Sequence, residues 1–419
     1  MKRHPFVVTT ALVASLGLIV AACGSDDDDA TSEPAATDGA ETTDGAETTD
    51  GAETTDGAET TDGADGAATT TADAGEGPCP TNLVIQTDWW PELEHGGTYQ
   101  LIGPDGTADA DNFIYSGPIA DAYKVGGVET VEIRAGGDAV SFTPVDSLLA
   151  TDDDIMFGYV NMSDVIKGSG GPSPVVAVAK TLDADPQMVM WDPEQNAVET
   201  PEDIAASGAQ VLHFDGVAYI DYMIGVGYMT ADQSNPSYGG APDAWVADGG
   251  GFFQQGFATN EVYKYENEIE WKDGAPAPVD FYTVGDLGFD NYAATMAVRA
   301  DRLEEFGPCL EVLVPAMQQA WVDFLADPTP VNDALIGVND TYDTYWKISE
   351  DLNTRGMELL DELGLGENSP DGTYCSFDEE RVQALYDILE PIYADEGVDI
   401  AESADGTYTN DYCADAPAR

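Results

Sequence analysis

The chain has 419 residues, with 80 Asp and Glu against 14 Lys and Arg, and a formal charge of −66. A surface this acidic repels nucleic acid and anionic lipid headgroups, which excludes both as partners. From Pro78 onward the chain is long enough for two lobes around separate cores and carries no apolar run of membrane-spanning length.

In chain order, Lys2 and Arg3 precede an apolar stretch from Phe6 to Ala22, and Val20-Ala21-Ala22-Cys23 follows as a small-residue cleavage site. Residues 1–22 therefore read as a signal peptide. The order resembles the lipobox of bacterial lipoproteins, which implies that Cys23 is lipidated and anchors the mature chain on the extracytoplasmic face of the cell membrane. Residues 23–77 are almost all Asp, Glu, Thr, Gly and Ala, with Glu-Thr-Thr-Asp-Gly-Ala repeated from Glu41, Glu47, Glu53 and Glu59. Such a segment has nothing to bury and is held extended by its own charge, so it reads as an acidic, disordered tether.

In the remainder, Leu83–Gln86, Val131–Arg134, Val175–Ala179 and Val211–Phe214 read as buried strands, separated by helical or loop-like segments. Thr200 with Pro201 reads as a helix start. Strands alternating with helices predict a mostly parallel sheet in each lobe, with ligands bound where the carboxyl ends of the strands face the cleft. The C-terminal third changes character: Leu310–Leu325, Tyr342–Leu363 and Asp378–Tyr393 have apolar residues at three- and four-residue spacing and are predicted helical. Cys79, Cys309, Cys375 and Cys413 make an even number outside the cell, so two disulfides are expected, with three pairings open. Because Cys79 and Cys413 stand at opposite ends of the folded part, an end-to-end bridge is favoured there, with Cys309 joined to Cys375.

The most informative segment is Asp88-Trp89-Trp90-Pro91-Glu92-Leu93-Glu94-His95-Gly96-Gly97-Thr98-Tyr99, directly after the first strand. Indole rings can stack on a flat solute there, and the glycines let backbone approach it. Asp-Trp-x-Pro-x-x-x-His-x-Gly after a strand resembles the opening of the solute-binding proteins for thiamine pyrimidine precursors, within the broad family of nitrate, sulfonate and taurine binders. Phe253-Gln254-Gln255-Gly256-Phe257-Ala258-Thr259-Asn260-Glu261-Val262-Tyr263 is similar to a second stretch of that family, with Val262 where Pro is expected. Leu148–Ile155 and Tyr408-Thr409-Asn410 are weaker matches. Glu92 and Glu94 stand where the pyrimidine binders tend to carry Asn, and Gly103–Pro118 looks like an insertion.

The resemblance implies a two-lobe α/β fold of the type II periplasmic-binding-protein kind, with lobe I over 78–185, lobe II over 186–284, and a return to lobe I with C-terminal helices over 285–419. It implies a monomeric ABC-importer component that binds a small molecule and docks on permease subunits, with no cofactor or metal. Chemically, an aminopyrimidine needs aromatic faces and a carboxylate that accepts from its amino group. Trp89, Tyr99 and Tyr263 are the stacking candidates, Glu261 the carboxylate, Asn260 a neutral partner beside it, and His95, Phe157 and Asp215 further cleft candidates. His213 reads as a core histidine. An enzyme related to the fungal pyrimidine-precursor synthase is disfavoured, because His95 and His213 are the only histidines after signal cleavage and no hydrolase elbow, zinc motif or phosphate loop occurs. The main rival is an anion binder, for which Lys124, Arg134, Lys180, Lys264 and Arg299 are the cations to test.

Overall fold

The computed structural model describes residues 77–419; the signal peptide, Cys23 and nearly all of the acidic tether lie outside the described residues. The strands are β1 Asn82–Gln86, β2 Thr107–Asp109, β3 Ile114–Pro118, β4 Thr130–Arg134, β5 Phe157–Val160, β6 Val175–Ala179, β7 Gln187–Trp191, β8 Val211–Leu212, β9 Ser234–Asn235, β10 Phe253–Phe257, β11 Asp280–Thr283 and β12 Thr295–Arg299. They form a seven-stranded sheet ordered β2-β3-β4-β1-β5-β12-β6 and a five-stranded sheet ordered β11-β7-β10-β8-β9. The chain leaves the first sheet after β6, builds the whole second sheet, and returns in β12, so only residues 180–186 and 284–294 cross between the lobes.

Alternation along β1 divides the interior. Leu83 and Ile85 face one core and Val84 the other, as a strand with two covered faces requires. All five residues of β6, Val-Val-Ala-Val-Ala, are buried for the same reason. The sheets are mixed rather than mostly parallel. Parallel pairing joins β1 to β4 and β5, and β8 to β9 and β10. The other pairings are antiparallel. Two causes account for the difference. Most of Gly103–Pro118 is an edge hairpin, β2 and β3, turned by the Asp109 carboxylate accepting from the backbone of Asp111 and Asn112. In addition, β12 enters from the second lobe and runs against both its neighbours.

The helices are α1 Gly96–Tyr99, α2 Val145–Thr151, α3 Met162–Gly168, α4 Glu202–Ser207, α5 Ala218–Val226, α6 Asp243–Asp248, α7 Glu261–Asn267, α8 Leu303–Ala326, α9 Thr329–Tyr342, α10 Glu350–Glu362 and α11 Glu379–Glu396. None of them is long and apolar enough to cross a membrane. The predicted helix Tyr342–Leu363 is in fact broken. α9 ends at Tyr342 because Asp343 takes a left-handed conformation (φ 50°), and α10 begins only after Ser349, whose Oγ accepts from Leu352 N at 3.1 Å.

Both disulfides form, but the pairing is Cys79–Cys309 and Cys375–Cys413. The end-to-end bridge fails because Cys79 lies just before β1, in the middle of the sheet, whereas the C-terminal segment lies along β6 at its edge. There Thr409 N donates to Ala177 O at 2.9 Å, and Lys180 N to Cys375 O at 3.0 Å, so Cys413 is brought to Cys375. α11 braces the crossovers: Arg381 donates to Asp183 O in one and, at 2.6 Å, to Asn291 O in the other.

Candidate ligand-binding site

The Asp88–Tyr99 segment follows β1, and the Thr259–Tyr263 segment follows β10, so each lobe contributes the loop at the carboxyl end of a central strand. The two loops meet. Glu94, 1% exposed, accepts from the Thr259 hydroxyl and, with both oxygens, from Asn260 Nδ2 at 3.3 Å. A first-lobe carboxylate thus holds two second-lobe donors. Trp89 also spans the lobes: its ring lies 5.5 Å from Phe214 and 5.7 Å from Trp346. Gly240 has φ 83°, and a Cβ there would come within 2.7 Å of the Trp89 ring, so this close approach requires glycine.

Glu261 begins α7 and turns back on its own strand. Its Oε2 accepts from Phe257 N at 2.7 Å, and Tyr238 OH donates to Oε1 at 3.4 Å. Gly256 makes room, since a Cβ there would lie 2.7 Å from Glu261 Cγ. The spacing from Gly256 to Glu261 in the second matching segment thereby acquires a steric reason. A cavity of about 170 Å3 opens against Glu261, Lys264, Glu268, Tyr238, Tyr345, Trp346 and Lys347. That is more than ten times the roughly 10 to 15 Å3 of free space that one water needs.

The charge balance is unusual for a buried place. Burial, reinforced by Glu94, Asp88 and Glu261, drives the Glu92 carboxyl well above the ordinary range. Burial likewise raises Glu94 and Glu261, against the hydrogen bonds that favour their ionised forms. Glu92 faces His95 Nε2 at 4.0 Å, while that nitrogen is 2.8 Å from Asp88 Oδ1. Lys264 is the cation among them; burial lowers its ammonium, and Glu261 and Glu92 work to hold it charged. Among the described residues no group of three or more His, Cys, Asp or Glu side chains could hold a metal ion. A smaller cavity of about 90 Å3 lies at the hinge against Asp185 and Asn291. Its polar groups already satisfy each other, with Asn291 Nδ2 donating to Asp185 Oδ2 at 2.8 Å.

Of the residues singled out from sequence, Trp89 and Asn260 make contacts across the lobes and Glu261 lines the cavity, whereas His95 is fully buried against Asp88, Glu92 and Tyr159 of the first lobe. Tyr263 is half-buried on α7 and packs against the first core. Tyr99 is buried and stacked on Tyr115, with ring centroids 5.6 Å apart, and Phe157 is fully buried in the same core. Asp215 is exposed on the turn after β8. His213 is buried, its Nε2 2.8 Å from Ser234 Oγ. Asn410 receives Phe377 N at 2.8 Å, so the closing Tyr-Thr-Asn pins the scaffold rather than the cleft. Sequence reasoning missed Tyr238, Tyr345 and Trp346 altogether. It noted Glu92 and Glu94 only as departures, and Lys264 only as a cation to test.

No family model matches the chain, and no curated protein matches it. Solved structures are similar. A protein of Bordetella bronchiseptica RB50 aligns with a TM-score of 0.50 at 12% identity, over 79% of this chain and 95% of its own. The ligand-binding component of an ABC-type import system from Staphylococcus aureus, with zinc bound, aligns with a TM-score of 0.50 at 10% identity, over 80% and 100%. The alkanesulfonate-binding protein of Xanthomonas axonopodis pv. citri, bound to MOPS, gives a TM-score of 0.49 at 11% identity, over 79% and 98%. With its two sheets, double crossover and helical C-terminal third, the chain has the two-lobe periplasmic-binding-protein fold found in ligand-binding components of ABC importers.

Proposed function

We propose that this chain is the extracytoplasmic solute-binding lipoprotein of an ABC importer, tethered through Cys23 and the acidic segment 23–77. Lobe I comprises residues 78–185 and 285–419, and lobe II residues 186–284. The chain binds, and does not transform, a small flat heterocycle that carries an amino group or a protonated ring nitrogen, of the pyrimidine-precursor kind. It delivers this solute to permease subunits as a monomer. The observation that carries the reading is the cluster of three buried carboxyls, Glu92, Glu94 and Glu261, acting on Lys264, with Glu261 and Lys264 on the cavity wall beside aromatic rings from both lobes. Burial disfavours the charged forms of these carboxyls even where protein donors meet them, and a cationic or amino-bearing solute would favour those forms.

The rival, a nitrate, sulfonate or taurine binder, would use Lys264 and Lys347, which also border the cavity. Glu261→Gln separates the two. It keeps the shape and removes the charge, so an aminopyrimidine should weaken by about 1.5 to 3 kcal/mol, the worth of a hydrogen bond to a charged group. An anion should bind no worse. Calorimetry with both ligand classes reads the difference. Heterocycle binding untouched by Glu261→Gln and by Trp89→Ala would leave the fold without this ligand.

A further inference from the structure

Lys264 is an unusual lysine. Its Nζ stands 3.5 Å from the centroid of the Trp346 ring, over the face. Among the described residues its ammonium makes no ion pair and donates no hydrogen bond, although Glu261, Glu92, Glu268 and Glu94 all act on it through space. Its one close partner is therefore an indole face, on the wall of the 170 Å3 cavity. The Tyr238 and Tyr345 side chains border the same space. Trp346 itself is 5% exposed, its Nε1 has no hydrogen-bond partner, and it belongs to the loop between α9 and α10.

Resting on the cleft reading above, we infer that the cationic group of the solute binds on the face of Trp346 in the place now taken by the Lys264 ammonium. Lys264 is a tethered stand-in for the charge of the ligand. The surrounding carboxylates make the place attractive to a positive charge, and the indole quadrupole selects a weakly hydrated one. That favours an organic ammonium or protonated amidine over a small metal ion. The four-carbon stem of lysine is flexible, so its ammonium can leave toward solvent when a better-fitting cation arrives. Trp346, rather than Trp89 alone, then becomes the aromatic that recognises charge, and Lys264 becomes an internal competitor that sets affinity.

Lys264→Met tests this, because it keeps the apolar stem and removes the charge. Titrations of the full chain would use tetramethylammonium, a protonated aminopyrimidine and methanesulfonate as probes. Both cations should bind the variant more tightly than the wild type, by roughly three- to thirtyfold, the span of a cation–π contact from exposed to desolvated. Methanesulfonate should not gain. Trp346→Leu should lose cation binding by a similar factor, and Trp346→Phe, which keeps a π face, should retain most of it. An aminopyrimidine that binds through Trp89 and Glu261 but is indifferent to Lys264→Met and Trp346→Leu would overturn the inference and leave the cleft reading standing. Methanesulfonate binding that Lys264→Met abolishes, with no cation binding in either protein, would overturn both. Weaker cation binding after Lys264→Met, or no probe binding at all, also counts against the inference.

Discussion

Glu94 offers a test of how the two lobes are held together. The carboxylate is 1% exposed, and the Thr259 and Asn260 side chains that donate to it are each 1% exposed. Glu94→Ala strands both donors in a dry place at about 1 to 3 kcal/mol each. Removing a buried charge gives part of that back, so a net loss of about 2 to 4 kcal/mol is expected. Glu94→Gln should behave differently. It keeps an acceptor for Thr259, and because Asn260 now presents its amide nitrogen to Glu94, a flip of that amide would turn Asn260 Oδ1, which is buried without a hydrogen-bond partner, to accept from the introduced amide nitrogen. Since burial already outweighs the hydrogen bonds in setting the Glu94 carboxyl, this exchange should be neutral or stabilising at pH 7. Melting at pH 7 should show the alanine variant lower by roughly 4 to 8 °C, taking about 2 °C per kcal/mol for a chain of this size. Small-angle scattering should show its lobes further apart. Alanine leaving both readouts unchanged, or glutamine proving as damaging as alanine, would rule out this role for Glu94.

Two further predictions concern the scaffold. Peptide mapping without reduction should join Cys79 to Cys309 and Cys375 to Cys413 with no free thiol, and the double change Cys375→Ser and Cys413→Ser should cost about 4 kcal/mol, from the entropy of a loop closed over 38 residues; a Cys79–Cys413 peptide would contradict the fold at its edge. Burial pushes Asp185 at the hinge and Asp164 on α3 up to about 6 from an ordinary 3.8. A carboxyl raised on folding holds its proton more tightly in the folded chain, so its stabilisation is complete below about pH 4 and is lost as pH rises to about 6. Asp185→Asn should therefore flatten the fall in melting temperature across that window relative to wild type, and an unaltered slope would place the charge elsewhere. The variant difference is the readout because the acidic surface pushes the raw slope the same way.

Much of the first lobe was legible because its central strands are short apolar runs bounded by turn residues. β6 was predicted with the bounds it has, and β1 and β4 each begin one residue earlier than expected. Within the candidate site, the sequence singled out Glu261, which lines the cavity, and Trp89, which packs across the lobes. The site was illegible where periodicity misled. Tyr342, Trp346 and the apolar residues of α10 fall near helical spacing, so the loop carrying Trp346 was absorbed into one long helix. Ser349 followed by Glu350 and Asp351, a cap before an acidic first turn, was the available signal for the break. Glu92 and Glu94 were visible as carboxylates, but their burial depends on the second lobe closing over them, which no local pattern encodes. The disulfide pairing failed for a related reason: proximity along the outline of a fold is set by strand order, and β1 is central while β6 is peripheral.

Whether the acidic cleft takes a positively charged or amino-bearing solute is decided by titrating the wild-type protein calorimetrically with a protonated aminopyrimidine and with methanesulfonate in the same buffer and salt. The aminopyrimidine should saturate at one per chain, and the sulfonate should give no heat of binding. Saturation by the sulfonate with none by the aminopyrimidine would rule such a solute out.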